Sequence, residues 1–169
     1  GCFNTATWAF RPEYIIGTTE LADRICAMDD IDGVTFSGGE PFCQARALSE
    51  LGESLSSEGF SILTFSGFSY DTLRKKDRKS WNSLLSVTDL LVAGPYIHER
   101  ARCHPLLASS NQQLVWPNGE RRIKTSDLTP EGSVAEFIVS PDGRIISTGF
   151  PSERLMQGIC QELHRCGGA

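Results

Sequence analysis

Short apolar segments, separated by longer amphipathic ones, dominate the first half of the chain. Residues 33–37, 60–65 and 88–93 are apolar runs of the length that is typical of buried strands. Around them, apolar residues recur at three- and four-residue spacings, which indicates helices with one buried face. In a first helix these positions are Leu21, Ile25 and Met28, and Thr18 or Thr19 is the expected N-cap. In a second helix they are Ala45, Leu48, Leu51 and Leu55, and shorter helices are predicted at 70–76 and 81–85. Because strands and helices alternate, the pattern predicts right-handed βαβ units and a parallel sheet.

The pattern changes after residue 95. Residues 112–116 form a possible strand. Residues 135–139 and 144–148 are joined by Ser-Pro-Asp-Gly, which is a turn signal and predicts a β-hairpin. A final helix is predicted at 151–164, with a proline at its start and two glycines past its end. The expected fold is therefore α/β with a C-terminal hairpin and helix.

Each of the three predicted parallel strands ends in a polar or glycine-rich turn. The turns are Ser37-Gly38-Gly39-Glu40-Pro41, Ser66-Gly67 and Gly94-Pro95. Ligands of parallel α/β folds bind at the carboxyl ends of the strands, so the three turns are expected to face one site. In the first turn, two glycines allow a backbone to approach a ligand closely and Glu40 can accept a hydrogen bond from an ammonium group. The alternative for this motif on its own is a plain tight turn.

Composition narrows the classes of function. The length of 169 residues is typical of one domain, and 16 basic against 21 acidic residues give a net charge of −5. This acidic balance argues against a general nucleic-acid-binding surface. No apolar run approaches the length that spans a membrane, so we expect neither a nucleic-acid nor a membrane partner.

The remaining polar and aromatic candidates favour structural interpretations. Six cysteines in a chain of this size indicate a reducing, cytoplasmic compartment rather than a disulfide scaffold. Cys26, on an apolar helix face, is expected to be a buried or incidental thiol. The pair Cys103-His104 beside His98 is a weak metal motif, and a surface loop is preferred. Arg100, Arg102, Arg121 and Arg122 are expected to be solvated surface, and docking of an acidic partner surface is the alternative. Packing roles are expected for Trp8, Trp81 and Trp116.

Two groups of motifs resemble a known family. Residues 2–4 (CFN), followed by residues 32–41 (DGVTFSGGEP), resemble the start of the radical S-adenosylmethionine (SAM) activating enzymes. Residues 90–96 (LLVAGPY), followed by 109–112 (SSNQ), are similar to the activating component of anaerobic ribonucleotide reductase. The resemblance covers most of residues 1–116 and implies a partial, open (β/α) barrel, with residues 117–169 as an extension packed on the same domain.

The resemblance implies a 4Fe-4S cluster and SAM as cofactors. In this family, three cysteines of a CxxxCxxC loop hold the cluster, and the open iron chelates the amino and carboxylate groups of SAM. An electron from the cluster then cleaves SAM to methionine and a 5′-deoxyadenosyl radical. Cys2 matches the third cysteine of the loop, so it is the implied metal ligand and catalytic residue, and the positions of the first two are not in this sequence. We therefore expect a parent protein with an additional strand and two cysteines to hold the cluster.

The same resemblance assigns the SAM contacts. Phe3 is implied to lie beside the adenine or the cluster, and Gly38, Gly39 and Glu40 to receive the amino end of SAM. Ser66 and Gly67 are implied to line the ribose side, although capping of the strand end is an equal alternative for Ser66. Ala93 stands where many relatives carry an acid, so one contact is expected to be lost or moved.

The implied task is to place a radical on a partner protein. The closest analogue of that partner is a glycyl-radical enzyme such as anaerobic ribonucleotide reductase, and the expected electron donor is a flavodoxin or ferredoxin. One alternative is radical modification of a small molecule or peptide. Another is an accessory or binding domain that keeps the scaffold without a cluster.

Overall fold

The computed structural model describes residues 15–102, 104, 106–119, 122–124, 128, 135–139, 145–149, 157–158 and 161. The helices are α1 (Thr18–Cys26), α2 (Ala45–Ser57), α3 (Tyr70–Lys75) and α4 (Lys79–Val87), with short 3-10 helices at Pro41–Gln44 and His98–Arg100. The strands are β1 (Gly33–Phe36), β2 (Ser61–Ser66), β3 (Leu90–Ala93), β4 (Gln113–Val115), β5 (Ala135–Val139) and β6 (Ile145–Gly149). In the described part of the chain, no helix is long and apolar enough to cross a bilayer.

The first four strands form one open sheet in the order β1-β2-β3-β4. The strands β1, β2 and β3 are parallel, with Val34 paired with Ile62 and Leu63 paired with Leu90. The strand β4 runs antiparallel to β3 and places Val115 opposite Leu91. The predicted α/β class and its three parallel strands are confirmed, and the possible strand at 112–116 is present as β4.

The C-terminal hairpin is also confirmed. Strands β5 and β6 pair antiparallel, with Ala135 opposite Gly149 and Val139 opposite Ile145. Of the predicted final helix, residues 157, 158 and 161 are helical and the rest lies outside the described residues.

The core lies between the parallel strands and the helices α2 and α4. Leu55 of α2, Ile62 of β2 and Leu84 of α4 are fully buried in it. Gly52 of α2 is buried as well. A Cβ atom at Gly52 would stand 2.7 Å from Cγ2 of Val87, because α2 and α4 approach closely there.

Two expectations for α1 are corrected. Its N-cap is Gly17, with no side-chain cap, rather than a threonine. Cys26 is a free, exposed thiol, which fits the incidental alternative, and Ile25 beside it packs against the core. Met28 is 57% exposed, since the helix ends at Cys26 and its apolar face does not continue.

A buried carboxylate fixes the entry to β3. Oδ2 of Asp89 accepts a hydrogen bond from the backbone N–H of Ile62 at 2.9 Å, and Asp89 is only 4% exposed. Its Oδ1 forms an ion pair with Nη1 of Arg122 at 3.6 Å. Nη1 of Arg122 also donates to the hydroxyl of Ser56, and Nη2 donates to the carbonyl oxygen of Ser56. Arg122 therefore ties α2 to the sheet, which corrects its interpretation as solvated surface.

Replacing Asp89 with alanine is expected to lower the free energy of unfolding by about 2–3 kcal/mol, because the buried N–H of Ile62 loses its acceptor and Arg122 loses its ion-pair partner. Asp89→Asn should cost less, since an amide oxygen can still accept from Ile62. Urea unfolding measures both, with the exposed Asp29→Ala as control. Equal losses in Asp89→Ala and Asp29→Ala would contradict the assignment.

Candidate functional site

The turns that follow the three parallel strands meet at one edge of the sheet. The hydroxyl of Ser66, at the end of β2, donates to Oε1 of Glu40 in the first turn at 3.0 Å. The carbonyl oxygen of Ser66 accepts from the N–H of Gly94 in the third turn at 3.0 Å. The prediction that these turns face a shared site is confirmed.

The first turn owes its shape to its two glycines. Gly38 and Gly39 have φ angles of 72° and 42°, a left-handed backbone that glycine adopts without strain. Glu40 returns to an extended backbone, and Pro41 starts the 3-10 helix at a position where its missing N–H costs nothing. The side chain of Glu40 caps this helix by accepting from the N–H of Phe42 at 3.1 Å.

The carboxylate of Glu40 is the central polar group of the site. Oε1 accepts from Phe42 and from Ser66, and Oε2 accepts from the N–H of Gly67 at 2.8 Å. A carboxylate offers about four acceptor positions, so these donors hold its orientation and leave capacity for another. Glu40 thus joins the first turn to the second while remaining able to bind a ligand donor.

Ser66 has a capping role. Its side chain is buried, and its oxygen accepts from the N–H of Phe68 at 3.0 Å while its proton goes to Glu40. Gly67 follows with no side chain, and an added Cβ would lie 3.4 Å from Oε2 of Glu40. The second turn is therefore shaped by its contact with the first.

The third turn is held by a polar segment whose role the sequence did not reveal. The side-chain amide of Gln112 donates to the carbonyl of Gly94 at 3.2 Å, and its oxygen accepts from the N–H groups of Ala108 and Ser109. Asn111 donates to the carbonyl of Pro95 at 2.7 Å. The sequence indicates residues 109–112 (SSNQ) only as a motif of the resemblance, and no local pattern identifies Gln112 as the residue that positions this turn.

The three turns line an open cavity of about 150 Å³ at the surface. All five described residues that the sequence singled out line it: Gly38, Gly39, Glu40, Ser66 and Gly67. Tyr96 and Gln112 also line it and were missed. Pockets for drug-sized ligands measure roughly 300–1,000 Å³, so this cavity suits the polar end of a ligand rather than a whole nucleoside. Cys2 and Phe3 lie outside the described residues.

Cluster ligands are not found among the described residues. Cys26 and Cys43 are free and exposed, and no group of three His, Cys, Asp or Glu side chains in this part of the chain is placed to hold a metal. A four-iron cluster is bound by cysteine thiolates, so the described residues do not form its ligand set.

His104 has a structural role in the loop before β4. Its Nδ1 accepts from the N–H groups of Leu106 and Leu107, both at 3.1 Å, so the neutral ring carries its proton on Nε2. Burial, followed by the positive charge of Arg102, lowers the pKa of His104 below its usual value of 6.5. Both hydrogen bonds of this ring stabilise its own loop, which agrees with the preferred interpretation of His104 as a loop residue.

Because the folded protein lowers the pKa of His104, its contribution to stability is complete above pH 6.5 and declines as the pH falls from there through the folded pKa. We expect the amide resonances of Leu106 and Leu107 to move over that acidic range in an NMR titration. In His104→Gln, whose side-chain oxygen can accept but does not titrate, the movement should disappear. Unchanged movement in that variant would assign the transition to another group.

Glu40→Gln is expected to lower the free energy of unfolding by about 1–2 kcal/mol, because the new NH₂ group cannot accept from the N–H of Gly67. Glu40→Ala should cost more, since it also removes the cap of Phe42 and the partner of Ser66. Thermal or urea unfolding measures both variants. The assignment fails if Glu40→Ala is no less stable than the exposed control Glu53→Ala.

Comparison with known proteins supplies the family. No curated protein and no solved structure matches this chain. Residues 1–116 match the model of the 4Fe-4S single cluster domain, and this match includes Cys2 and all three turns of the site. Because the match covers more than half of the 169 residues, this chain belongs to the 4Fe-4S single cluster domain family.

Proposed function

We propose that this chain is the core of an iron–sulfur radical SAM enzyme, which cleaves SAM reductively to a 5′-deoxyadenosyl radical. Membership of the 4Fe-4S single cluster domain family supports the iron–sulfur part. The SAM part is carried by one observation: the carboxylate of Glu40 is fixed between two strand-end turns, beside two glycines with left-handed backbone.

The amino end of SAM is the ligand group that fits the part of the cavity beside Gly38, Gly39 and Glu40. An ammonium group is a donor without acceptors, and Glu40 keeps acceptor capacity after its three internal hydrogen bonds. Those bonds are made before a ligand arrives, so the carboxylate pays little ordering cost on binding. Gly38 and Gly39 present backbone without side chains, and the cavity volume suits an amino-acid end.

The rest of SAM is assigned to neighbouring positions. Gly67 allows a close approach on the proposed ribose side, and Ser66 contributes a remaining acceptor position, since its proton is donated to Glu40. Phe3 is proposed to lie beside the adenine or the cluster, and Cys2 to be one cluster ligand. When bound, a cluster with one open iron supplies the electron for cleavage and a binding position for the amino and carboxylate groups.

The proposed radical acceptor is a glycyl-radical enzyme such as anaerobic ribonucleotide reductase, with a flavodoxin or ferredoxin as electron donor. Its support is the resemblance of residues 90–96 and 109–112 to that activating component. These two segments are joined by the hydrogen bonds from Asn111 to Pro95 and from Gln112 to Gly94. The resemblance therefore concerns one structural unit rather than two separate stretches.

A binding domain without a cluster is the second candidate. It is favoured by the structural role of Glu40, whose hydrogen bonds to Phe42, Ser66 and Gly67 join two turns of the fold. Such a domain would keep the fold and the cavity but cleave no SAM.

The first test is SAM cleavage by the full-length protein, purified without oxygen, reconstituted with iron and sulfide, and reduced. Chromatography should detect 5′-deoxyadenosine, and Cys2→Ala should reduce it to background because a cluster ligand is lost. Glu40→Gln should raise the KM for SAM about tenfold, the effect of losing one charge-assisted hydrogen bond. Glu53→Gln, the same change at an exposed position of α2, should leave the KM unchanged.

Absence of 5′-deoxyadenosine from a protein with its full iron complement would overturn the proposal. Failure to retain iron under the same conditions would favour the binding domain. If SAM is cleaved, electron paramagnetic resonance after incubation with anaerobic ribonucleotide reductase tests the acceptor. A glycyl radical that depends on Cys2 supports the activating role, and its absence favours a small molecule or peptide.

A further inference from the structure

A second, larger concavity lies beside the 3-10 helix that follows Glu40. It measures about 930 Å³ and shares no lining residue with the strand-end cavity. Its floor is formed by three aromatic rings. Phe42 packs edge-on against Trp81 with ring centroids 5.6 Å apart, and Phe68 lies against the same ring at 5.2 Å. We call this surface, with Lys76 and Arg78 at its rim, the aromatic groove.

Two cations lie over the aromatic floor. Nζ of Lys76 stands 5.7 Å from the ring centroid of Trp81 and 5.8 Å from that of Phe68, and Cζ of Arg78 stands 4.7 Å from Trp81. These are cation–π distances. Among the described residues, neither cation has a carboxylate within ion-pair distance, and the groove's Glu50 is paired with Arg46. The rim therefore carries positive charge that no described acid neutralises.

The groove lies in the most basic stretch of an acidic chain. Residues 74–79 read RKKDRK and hold five of the 16 basic residues, all exposed. Arg74 and Lys75 are in the last turn of α3, where the helix dipole favours cations. Lys79 occupies the first turn of α4, which carries no acid and whose dipole disfavours a cation. Helix stability thus explains only part of this charge.

We propose that the aromatic groove docks an acidic segment of a partner protein, with carboxylates on Lys76 and Arg78 and an apolar or aromatic side chain against Phe68, the partly exposed ring of the floor. Arginine and aromatic residues are enriched in protein interfaces, and charge complementarity sets their orientation. Nucleic acid fits less well, because single strands bind by stacking successive bases on several rings. Phe42 and Trp81 are only 2% and 4% exposed, which leaves Phe68 as the one accessible ring of the floor.

Binding is tested with the full chain and a short fluorescein-labelled peptide that alternates Glu and Ser around a central Phe. Fluorescence anisotropy should show binding that weakens as salt is raised. The double variant Lys76→Glu/Arg78→Glu should weaken it by about tenfold or more, the loss of two ionic contacts. The matched control Lys75→Glu/Lys79→Glu changes the net charge equally but lies off the groove, and should weaken it less than about threefold. Thermal unfolding checks that both variants are folded.

Four results of the binding measurements would overturn the proposal. The first is that the peptide does not bind, and the second is that the two double variants lose equal amounts of affinity. The third is that a peptide with Ser in place of its Phe binds equally well, and the fourth is that a single-stranded oligonucleotide binds more tightly than the peptide. Self-association of the chain that the groove variant abolishes would also overturn it, because the occupant would then be a second copy. The measurement needs neither cluster nor SAM, so its result is independent of the proposed function.

Discussion

The carboxylate of Glu40 is the constraint on which the site depends. Parallel strands bring their carboxyl ends to the same edge of a sheet, but they do not fix the loops that follow. Here one side chain accepts from the loop after β1 and from the loop after β2, and the carbonyl at the end of β2 accepts from the loop after β3. A single carboxylate thereby fixes the turns at this edge of the sheet relative to one another, and these turns line the strand-end cavity.

The Glu40–Phe42 segment also connects the two concave surfaces. The N–H of Phe42 is held by the carboxylate that borders the strand-end cavity, while its ring packs against Trp81 in the aromatic groove. A displacement of Trp81 is therefore expected to move the ring of Phe42 and, through the hydrogen bond of the Phe42 N–H, the carboxylate of Glu40. Substitutions at the two surfaces should not be treated as independent, because they share this short rigid segment.

Local sequence patterns were sufficient for most of the fold. The spacing of Leu51 and Leu55 predicted the buried face of α2, and the glycine pair with Glu40 predicted a site at the end of β1. What the sequence missed depends on partners distant in the chain. The pair of Asp89 and Arg122, separated by 33 positions, has no local signature, and neither has the support of Gly94 by Gln112. The expectation for Met28 was wrong because the helix ends at Cys26, so its apolar face does not extend to residue 28.

The absent side chain at Gly52 has a consequence for how this chain can vary. A glycine inside a helix is less favourable than alanine by about 1 kcal/mol, and here that cost is offset by the close contact of α2 with α4. The side chain of Val87 occupies the space that a side chain at position 52 would need, so a larger residue at 52 requires a smaller one at 87. In any set of descendants of this chain, the two positions are expected to change together, and a small residue at 87 would mark lineages in which 52 is no longer glycine.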